Sequence, residues 1–330
     1  MITRRHLIAG AAATSVTSVG IDCPAVAQSV APAWPTRFVR LVVALAAGGP
    51  TDVAARLVAE RLTKIWGQQV VIENKPGAGG NLAAELVARS DPDGYTILYG
   101  TSSVAINRVL YRTLNYDPIA DFAPISLLIR FPFFMFVPIP LPVTSVGQFI
   151  QYAKSKGGAA TLASPGAGSA PHLAGELFQR MAGIKLTHVP YRGASVVLND
   201  LMPGRVDLYF ASGSLLTNMR AGQIRGLAVT GPERDASAPE LPTVAEAGVP
   251  GFEVSSWHGL FVPAATPAAI VRKMNVDAIA VATDPVVQEK FRVNGYHPVG
   301  SSMEELGRLV KSEIEKWTPV VRAAGIPIID

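Results

Sequence analysis

The chain has 330 residues, 49% of them hydrophobic and 16% charged, with a formal net charge of +4 and a single cysteine. A balance this mild, without basic runs, leaves no footprint for nucleic acid, and one cysteine excludes an internal disulfide and a thiolate metal cluster. The length suits two domains of ordinary size.

The N-terminus reads TRRHLIAGAAATSVTSVG and continues to Pro24-Ala25-Val26-Ala27-Gln28. Paired arginines, an apolar run too short for a bilayer and a small-x-small site describe an export signal over 1–27, cut after Ala27. The order Thr3-Arg4-Arg5-His6-Leu7-Ile8 resembles a twin-arginine signal. Cys23 leaves with the signal, so the mature chain, 28–330, has no cysteine nucleophile and is expected in the periplasm. No later run is long and apolar enough to span a membrane; 131–141 is apolar but broken by Pro132, Pro138 and Pro140.

In chain order, 38–44 is an apolar run of strand length, followed by a Gly48-Gly49 turn and an amphipathic helix over 51–65. A second strand at 69–73 leads through a glycine-rich turn to a helix over 82–89, with Asn81 placed to cap it. A third strand, 95–99, ends in Gly100-Thr101-Ser102-Ser103. Alternating strands and helices at this spacing predict an α/β fold with parallel sheets and right-handed crossovers. Residues 117–142 read as a long strand leaving the first domain, with Phe131, Phe133, Phe134 and Phe136 filling a core. A helix over 146–156 precedes the strand 161–164, which turns through Pro165, Gly166, Ala167, Gly168 and Ser169 into a helix with Leu173, Leu177, Phe178 and Met181 on one face.

Strands follow at 186–189, 206–210 and 225–230, with a helix over 194–202. A return strand at 254–262 leads to helices over 267–282, 285–294 and 303–324. The last carries Leu306, Leu309, Val310, Ile314, Trp317 and Val321 on one face. Glu304-Glu305, and Glu313 with Glu315, read as its solvated side. The closing helices are expected to pack on the first domain, giving domain 1 as 28–132 plus 258–330 and domain 2 as 133–257. Two crossing segments would form a hinge, with a ligand cleft between the domains.

The strand–glycine turn–helix corner occurs twice, at 41–62 and 161–181. Each leaves unpaired N–H groups at the carboxyl edge of a sheet, an arrangement that attracts an anion, although tight strand–helix loops use glycine for purely steric reasons as well. Catalytic signatures are missing. There is no G-x-S-x-G elbow and no nucleotide phosphate loop, and the mature histidines (His172, His188, His258, His297) show no metal-ligand spacing. No cofactor or metal is expected. Ser169 or Ser102 with His172 gives an alternative reading as a serine-dependent hydrolase, without an acidic partner at any telling spacing.

The blocks LVVALAAGGPTDVAARLVAERL, VVIENKPGAGGNLAAELVARSDPDGYTILYGTSS, SPGAGSAPHLAGELF, VPYRGASVVLNDLMPGRVDLYF and LPTVAEAGVPGFEVSSWHGLFVPAATP resemble the Bug-type periplasmic receptors of tripartite tricarboxylate transporters. The resemblance implies a two-lobed periplasmic-binding-protein-like fold with a mostly parallel sheet in each lobe. It implies a monomer that closes on a small organic acid, a mono- or dicarboxylate, and hands it to membrane transporter subunits; a sensor without transport is the remaining alternative. Carried over by position, the first corner is Ala47, Gly48, Gly49, Thr51 and Asp52, with Asp52 fastening the helix start. Thr101 and Ser102 match a cleft-facing strand end. In the second lobe Ser164, Gly166, Gly168, Ser169 and His172 match S-x-G-x-G-S-x-x-H, with His172 ordering the loop. Tyr191 matches the Y-x-G corner that also holds Arg192 and Gly193, and Ala211 with Ser212 ends a strand at the cleft. One departure is Ala44-Leu45, where the family has Pro followed by an aromatic residue; Leu45 would give a smaller aliphatic wall.

Overall fold

Apolar strands of five or six residues that are almost wholly buried, 39–43 and 96–101, need helices above and below them, and that requirement shapes the first sheet. The computed structural model describes residues 34–191, 194–324, 326, 328 and 329. The predicted signal, Cys23, Arg192 and Gly193 lie outside them. β1 (Val39–Val43) lies between β2 (Val70–Asn74) and β3 (Thr96–Thr101) and is parallel to both. β4 (Phe122–Pro132), β10 (Ser255–Pro263) and the two-residue β11 (His297–Pro298) complete the order β11-β4-β10-β3-β1-β2. The second sheet runs β7-β6-β8-β5-β9, from β5 (Phe134–Pro138), β6 (Thr161–Ser164), β7 (Thr187–Pro190), β8 (Leu208–Ala211) and β9 (Ile224–Val229).

Both sheets are mixed rather than mostly parallel. The strands joined by helices pair in parallel, as their crossovers require. The strands that enter or return across the molecule, β4, β5 and β10, pair antiparallel with their neighbours. The predicted long strand is two strands, β4 in the first sheet and β5 in the second, broken at Phe133 where the chain changes sheets. The four phenylalanines around this break are buried, as expected for core.

α1 (Pro50–Trp66) starts with proline in its first turn and ends at Gly67, whose left-handed φ of 63° lets its N–H return to Thr63 O. Its buried face, Ala54, Ala55, Val58, Ala59, Leu62 and Trp66, covers the first sheet. Burial of each larger side chain contributes about 1.5–3 kcal/mol. α2 (Asn81–Ala88) is capped by Gly80 with no side-chain bond. Asn81 does not cap it. Its Oδ1 instead accepts from Asn107 Nδ2 (2.7 Å) and Tyr116 OH (2.8 Å), a buried network that outbids the cap.

α3 (Ser103–Leu110) follows β3. α4 (Val146–Ser155), α5 (Ala170–Ala182), α6 (Ala194–Leu201) and the short α7 (Leu216–Arg220) belong to the half of the chain that forms the second sheet. α8 (Ala268–Thr283), α9 (Pro285–Val293) and α10 (Met303–Ala324) close the chain. α8 and α10 pack on β4, and α10 also reaches α3 and α5. On α10, Leu306, Val310, Trp317 and Val321 are buried. Glu313 is not on the solvated side. It is buried and accepts from Trp317 Nε1 at 2.9 Å, because a residue four positions before a buried indole shares its face.

Candidate ligand-binding site

The first corner connects β1 to α1. Gly48 adopts φ of +78°, a conformation that costs other residues about 1–2 kcal/mol, and this turns its N–H back toward the helix. There Asp52 Oδ2 accepts it at 2.9 Å and also takes Arg56 Nε at 2.8 Å. Asn74 Nδ2 spans Asp52 Oδ1 (3.0 Å) and Leu45 O (2.9 Å), which ties the end of β2 to the turn. Burial works to raise the Asp52 pKa, but the bonds from Arg56, Gly48 and Asn74 outweigh it and hold the carboxyl below its ordinary range. Asp52 therefore fastens the turn from within. The helix ladder begins with Val53 N–H to Gly49 O, so the N–H groups of Thr51 and Asp52 precede it. Ala47 and Gly48 are exposed, as is Leu45 at 43%.

Thr101 and Ser102 end β3. Thr101 Oγ1 lies 2.8 Å from Ser103 Oγ, and Ser102 Oγ lies 2.9 Å from Ser256 Oγ on β10. Ser102 is buried, so its hydroxyl pins β3 to β10. A Cβ added at Gly80 would lie 3.1 Å from Ser103 Oγ and 3.2 Å from Ala44 Cβ. The glycine turn before α2, the first corner and the start of α3 thus meet.

The second corner connects β6 to α5. Gly166 and Gly168 have φ of +153° and +75°, and each N–H is again taken by a nearby side chain. Gly166 N–H donates to Ser164 Oγ (3.2 Å) and Gly168 N–H to His172 Nδ1 (3.0 Å). Ser164 and Ser169 hydroxyls both donate to Gly166 O, at 2.9 and 2.7 Å. Because Nδ1 of His172 accepts, its proton sits on Nε2, which lies 3.3 Å from Glu176 Oε1. His172 is buried and braces the loop through Gly168. Both of its nitrogens are engaged, and so is the Ser169 hydroxyl, so no nucleophile–base hydrogen bond joins them.

Tyr191 N–H donates to Ser164 O at 2.9 Å, and its hydroxyl donates to Asp200 Oδ2 at 2.8 Å, tying this corner to α6. Ala211 is buried at the end of β8, and Ser212 Oγ lies 2.9 Å from Ser214 Oγ.

The two corners meet α3 at opposite ends. Gly168 sits against Leu110, the last residue of α3, where an added Cβ would lie 2.7 Å from Leu110 Cδ1. The first corner reaches Ser103 at the other end through Gly80. Seven residues of helix separate those ends by about 11 Å. The glycine turns that located the corners said nothing of their contacts with Asn74 on β2, Ser256 on β10 and Leu110 on α3. A cavity of about 660 Å³ lies elsewhere, beside the crossing segments, with Arg130, Phe131, Arg234, Asp235, His297 and Arg308 in its wall. None of the expected binding residues lines it.

The model of the tripartite tricarboxylate transporter family receptor matches residues 54–326. The chain belongs to that family. The "UPF0065 protein in tcbD-tcbE intergenic region" of Pseudomonas sp. (strain P51) is 36% identical over 322 residues, which cover 97% of this chain and 94% of that protein. Rpa4515 of R. palustris, solved with adipate, is 42% identical with a TM-score of 0.82, over 89% of this chain and 99% of its own. MatC of Rhodopseudomonas palustris, solved with bound malate, is 34% identical with a TM-score of 0.78, over 87% and 99%. The α/β fold of two mixed sheets is therefore the two-lobed fold of periplasmic binding proteins. Among the described residues, no helix of this family receptor is long and apolar enough to cross a membrane.

Proposed function

We propose that this chain is an exported periplasmic receptor, rather than an enzyme, that captures a small dicarboxylate between its two lobes and delivers it to a membrane transporter. The observation that carries the reading is the adipate-bound relative, 42% identical and matched over 99% of its length. The malate-bound relative supports the same ligand class. The corners supply suitable chemistry: the N–H groups of Thr51 and Asp52 at the start of α1, and those ahead of the α5 ladder, which begins with Leu173 N–H to Ser169 O. Helix N-termini favour anions through both these donors and the helix dipole. A carboxylate taken from water needs several such donors to offset its desolvation. The exchange of sheets at 132–134 and again between β9 and β10 provides two crossing segments about which the lobes would close.

Calorimetric titration of residues 28–330 with adipate, malate and a panel of mono- and dicarboxylates tests the reading. Saturable binding of at least one diacid is expected. A panel in which no organic acid binds, while sugars or metal ions do, overturns it.

A further inference from the structure

His188 lies on β7, outside both glycine corners, yet its Nε2 is 2.7 Å from Ser164 Oγ. A serine hydroxyl has one proton and two acceptor sites. Ser164 Oγ already donates to Gly166 O and accepts from Gly166 N–H, so the third contact must be a donation from His188 Nε2–H. Ser164 is fully buried, so no water supplies that bond in its place. The His188 ring also stacks on His172, with centroids 3.7 Å apart and planes inclined by 19°. The two imidazoles therefore act as one block. His188 fixes Ser164 and hence Gly166, while His172 fixes Gly168.

We infer that His188 is a positioning residue for ligand capture, acting through Ser164 to hold the 165–169 turn in its binding geometry. The inference rests on the dicarboxylate-receptor reading. It adds a residue that touches no ligand and comes from a strand the glycine motif does not include. Two left-handed or near-left-handed glycines in a five-residue turn leave it with many alternative conformations, so side-chain ties must select one. Ala167, at the apex between the two tied glycines, is exposed, and its direction follows from theirs.

The block works only while His188 is neutral. A second proton on His188 would place a charge against the face of its partner. Glu176, on the neighbouring helix, is the acidic group facing the pair, and it counters this only in part. Burial, with the neighbouring His172, drives the His188 pKa down to about 4, so the ring stays uncharged through the ordinary pH range.

The test compares His188→Phe, which keeps a stacking ring without the donor, and His188→Gln, which keeps a donor without a titrating ring. Adipate and malate are the probes, by calorimetry from pH 8 to 4, with thermal unfolding alongside. His188→Phe is expected to weaken binding about tenfold with little change in unfolding temperature, and His188→Gln to stay within about threefold of wild type. Below pH 5 the ratio of wild-type to His188→Gln affinity should fall, since the ligand's own titration cancels in that ratio. Equal affinities and parallel pH profiles in all three proteins would overturn the inference and leave the receptor reading intact. Backbone amide NMR of the ligand-free proteins tests it separately from binding. Gly166 and Ala167 resonances should move in His188→Phe and return toward wild type in His188→Gln. Unmoved resonances would count against His188 even if neither diacid binds, whereas failed binding alone counts against the receptor reading.

Discussion

Thr230 and Phe133 knot the two crossing segments together. The Thr230 N–H donates to Phe133 O at 2.8 Å, and the Phe133 N–H donates to Thr230 Oγ1 at 2.7 Å. The same hydroxyl donates to Val254 O at 2.6 Å, and Val254 N–H returns to Thr230 O at 2.8 Å. One fully buried side chain thus ties together three stretches of chain, 133, 230 and 254, where it passes between sheets. Thr230→Val keeps the shape and strands the Phe133 N–H and the Val254 carbonyl. Unsatisfied buried groups cost about 1–3 kcal/mol each, so for the two of them urea unfolding is expected to report a loss of about 2–6 kcal/mol. A change below about 0.5 kcal/mol would mean the knot is replaceable.

The Asp52 carboxylate holds Gly48, Arg56 and Asn74 at once, and its side chain is 2% exposed. Its folded pKa is depressed, so its contribution to stability is complete above the ordinary carboxylate value and is lost as pH falls through the lower, folded value. Asp52→Asn is expected to cost about 2 kcal/mol at pH 7, in line with a charged hydrogen bond. The loss should shrink below about pH 4, where the unfolded chain's carboxyl begins to take up protons while the folded one is still ionised. Chemical denaturation at pH 7 and pH 3.5 reads the difference.

One buried histidine, His258, and one half-buried histidine, His188, act on the same acid flank of the pH curve, starting at a higher pH. Burial lowers His258 to about 3, where it meets Tyr99 OH at 3.1 Å, and His188 to about 4. Unfolded histidine titrates near 6.5, so on acidification the unfolded chain gains protons first. Each residue's contribution is complete above about pH 6.5 and drains below it, by about 1.4 kcal/mol per pH unit. His297 runs the other way: Asp235, 2.7 Å away, raises its pKa, so its contribution is present at low pH and fades as pH rises through the folded value. His258→Phe should flatten the fall in stability between pH 6 and 4.5 by about 1.4 kcal/mol per unit, at the cost of the Tyr99 bond. An unchanged slope would mean that His258 is already protonated in the native state.

Local pattern located nearly every strand and helix, because hydrophobic periodicity and glycine breaks are written within ten or fifteen residues. What it missed were choices between partners. Asn81 looks like a cap because asparagine before an apolar run usually is one; Asn107 and Tyr116, 26 and 35 positions on, claim its side chain instead. Glu313 looks solvated among lysines until Trp317 turns the same face inward. The two corners were legible, since each is a strand, a glycine turn and a helix in sequence. Their internal ties to Asp52, Ser164 and His172 were only half so. That His188 would stack on His172 required knowing that β6 and β7 are neighbours.

Gly175 lies on the buried face of α5, where an added Cβ would overlap the side chain of Leu162 on β6. Alanine gains about 1 kcal/mol of helix propensity at an exposed site. Here overpacking, at about 1–3 kcal/mol, should win, because Leu162 is fully buried and has little room to move. Gly175→Ala is therefore expected to lower the unfolding temperature, and Gly175→Ala with Leu162→Val to recover part of the loss. A more stable single variant would show that α5 can lift off β6.

Gly213, after β8, and Gly295, after α9, bring the two lobes into backbone contact. A Cβ at Gly295 would lie 3.0 Å from Gly213 Cα, and one at Gly213 would lie 3.3 Å from Gly295 Cα. A methyl at Gly213 must push the lobes apart by a few tenths of an ångström, and its own backbone is not in the left-handed region. If capture requires this approach, Gly213→Ala raises the Kd for adipate or malate about three- to tenfold, up to about 1.4 kcal/mol, with unfolding nearly unchanged. Gly295→Ala adds backbone strain from its φ of +73°. Gly222→Ala, with φ of +68° and open space around its Cβ, isolates that strain and should leave affinity alone. An unaltered Kd in Gly213→Ala would place the binding-competent geometry at a wider separation of the lobes than the one described.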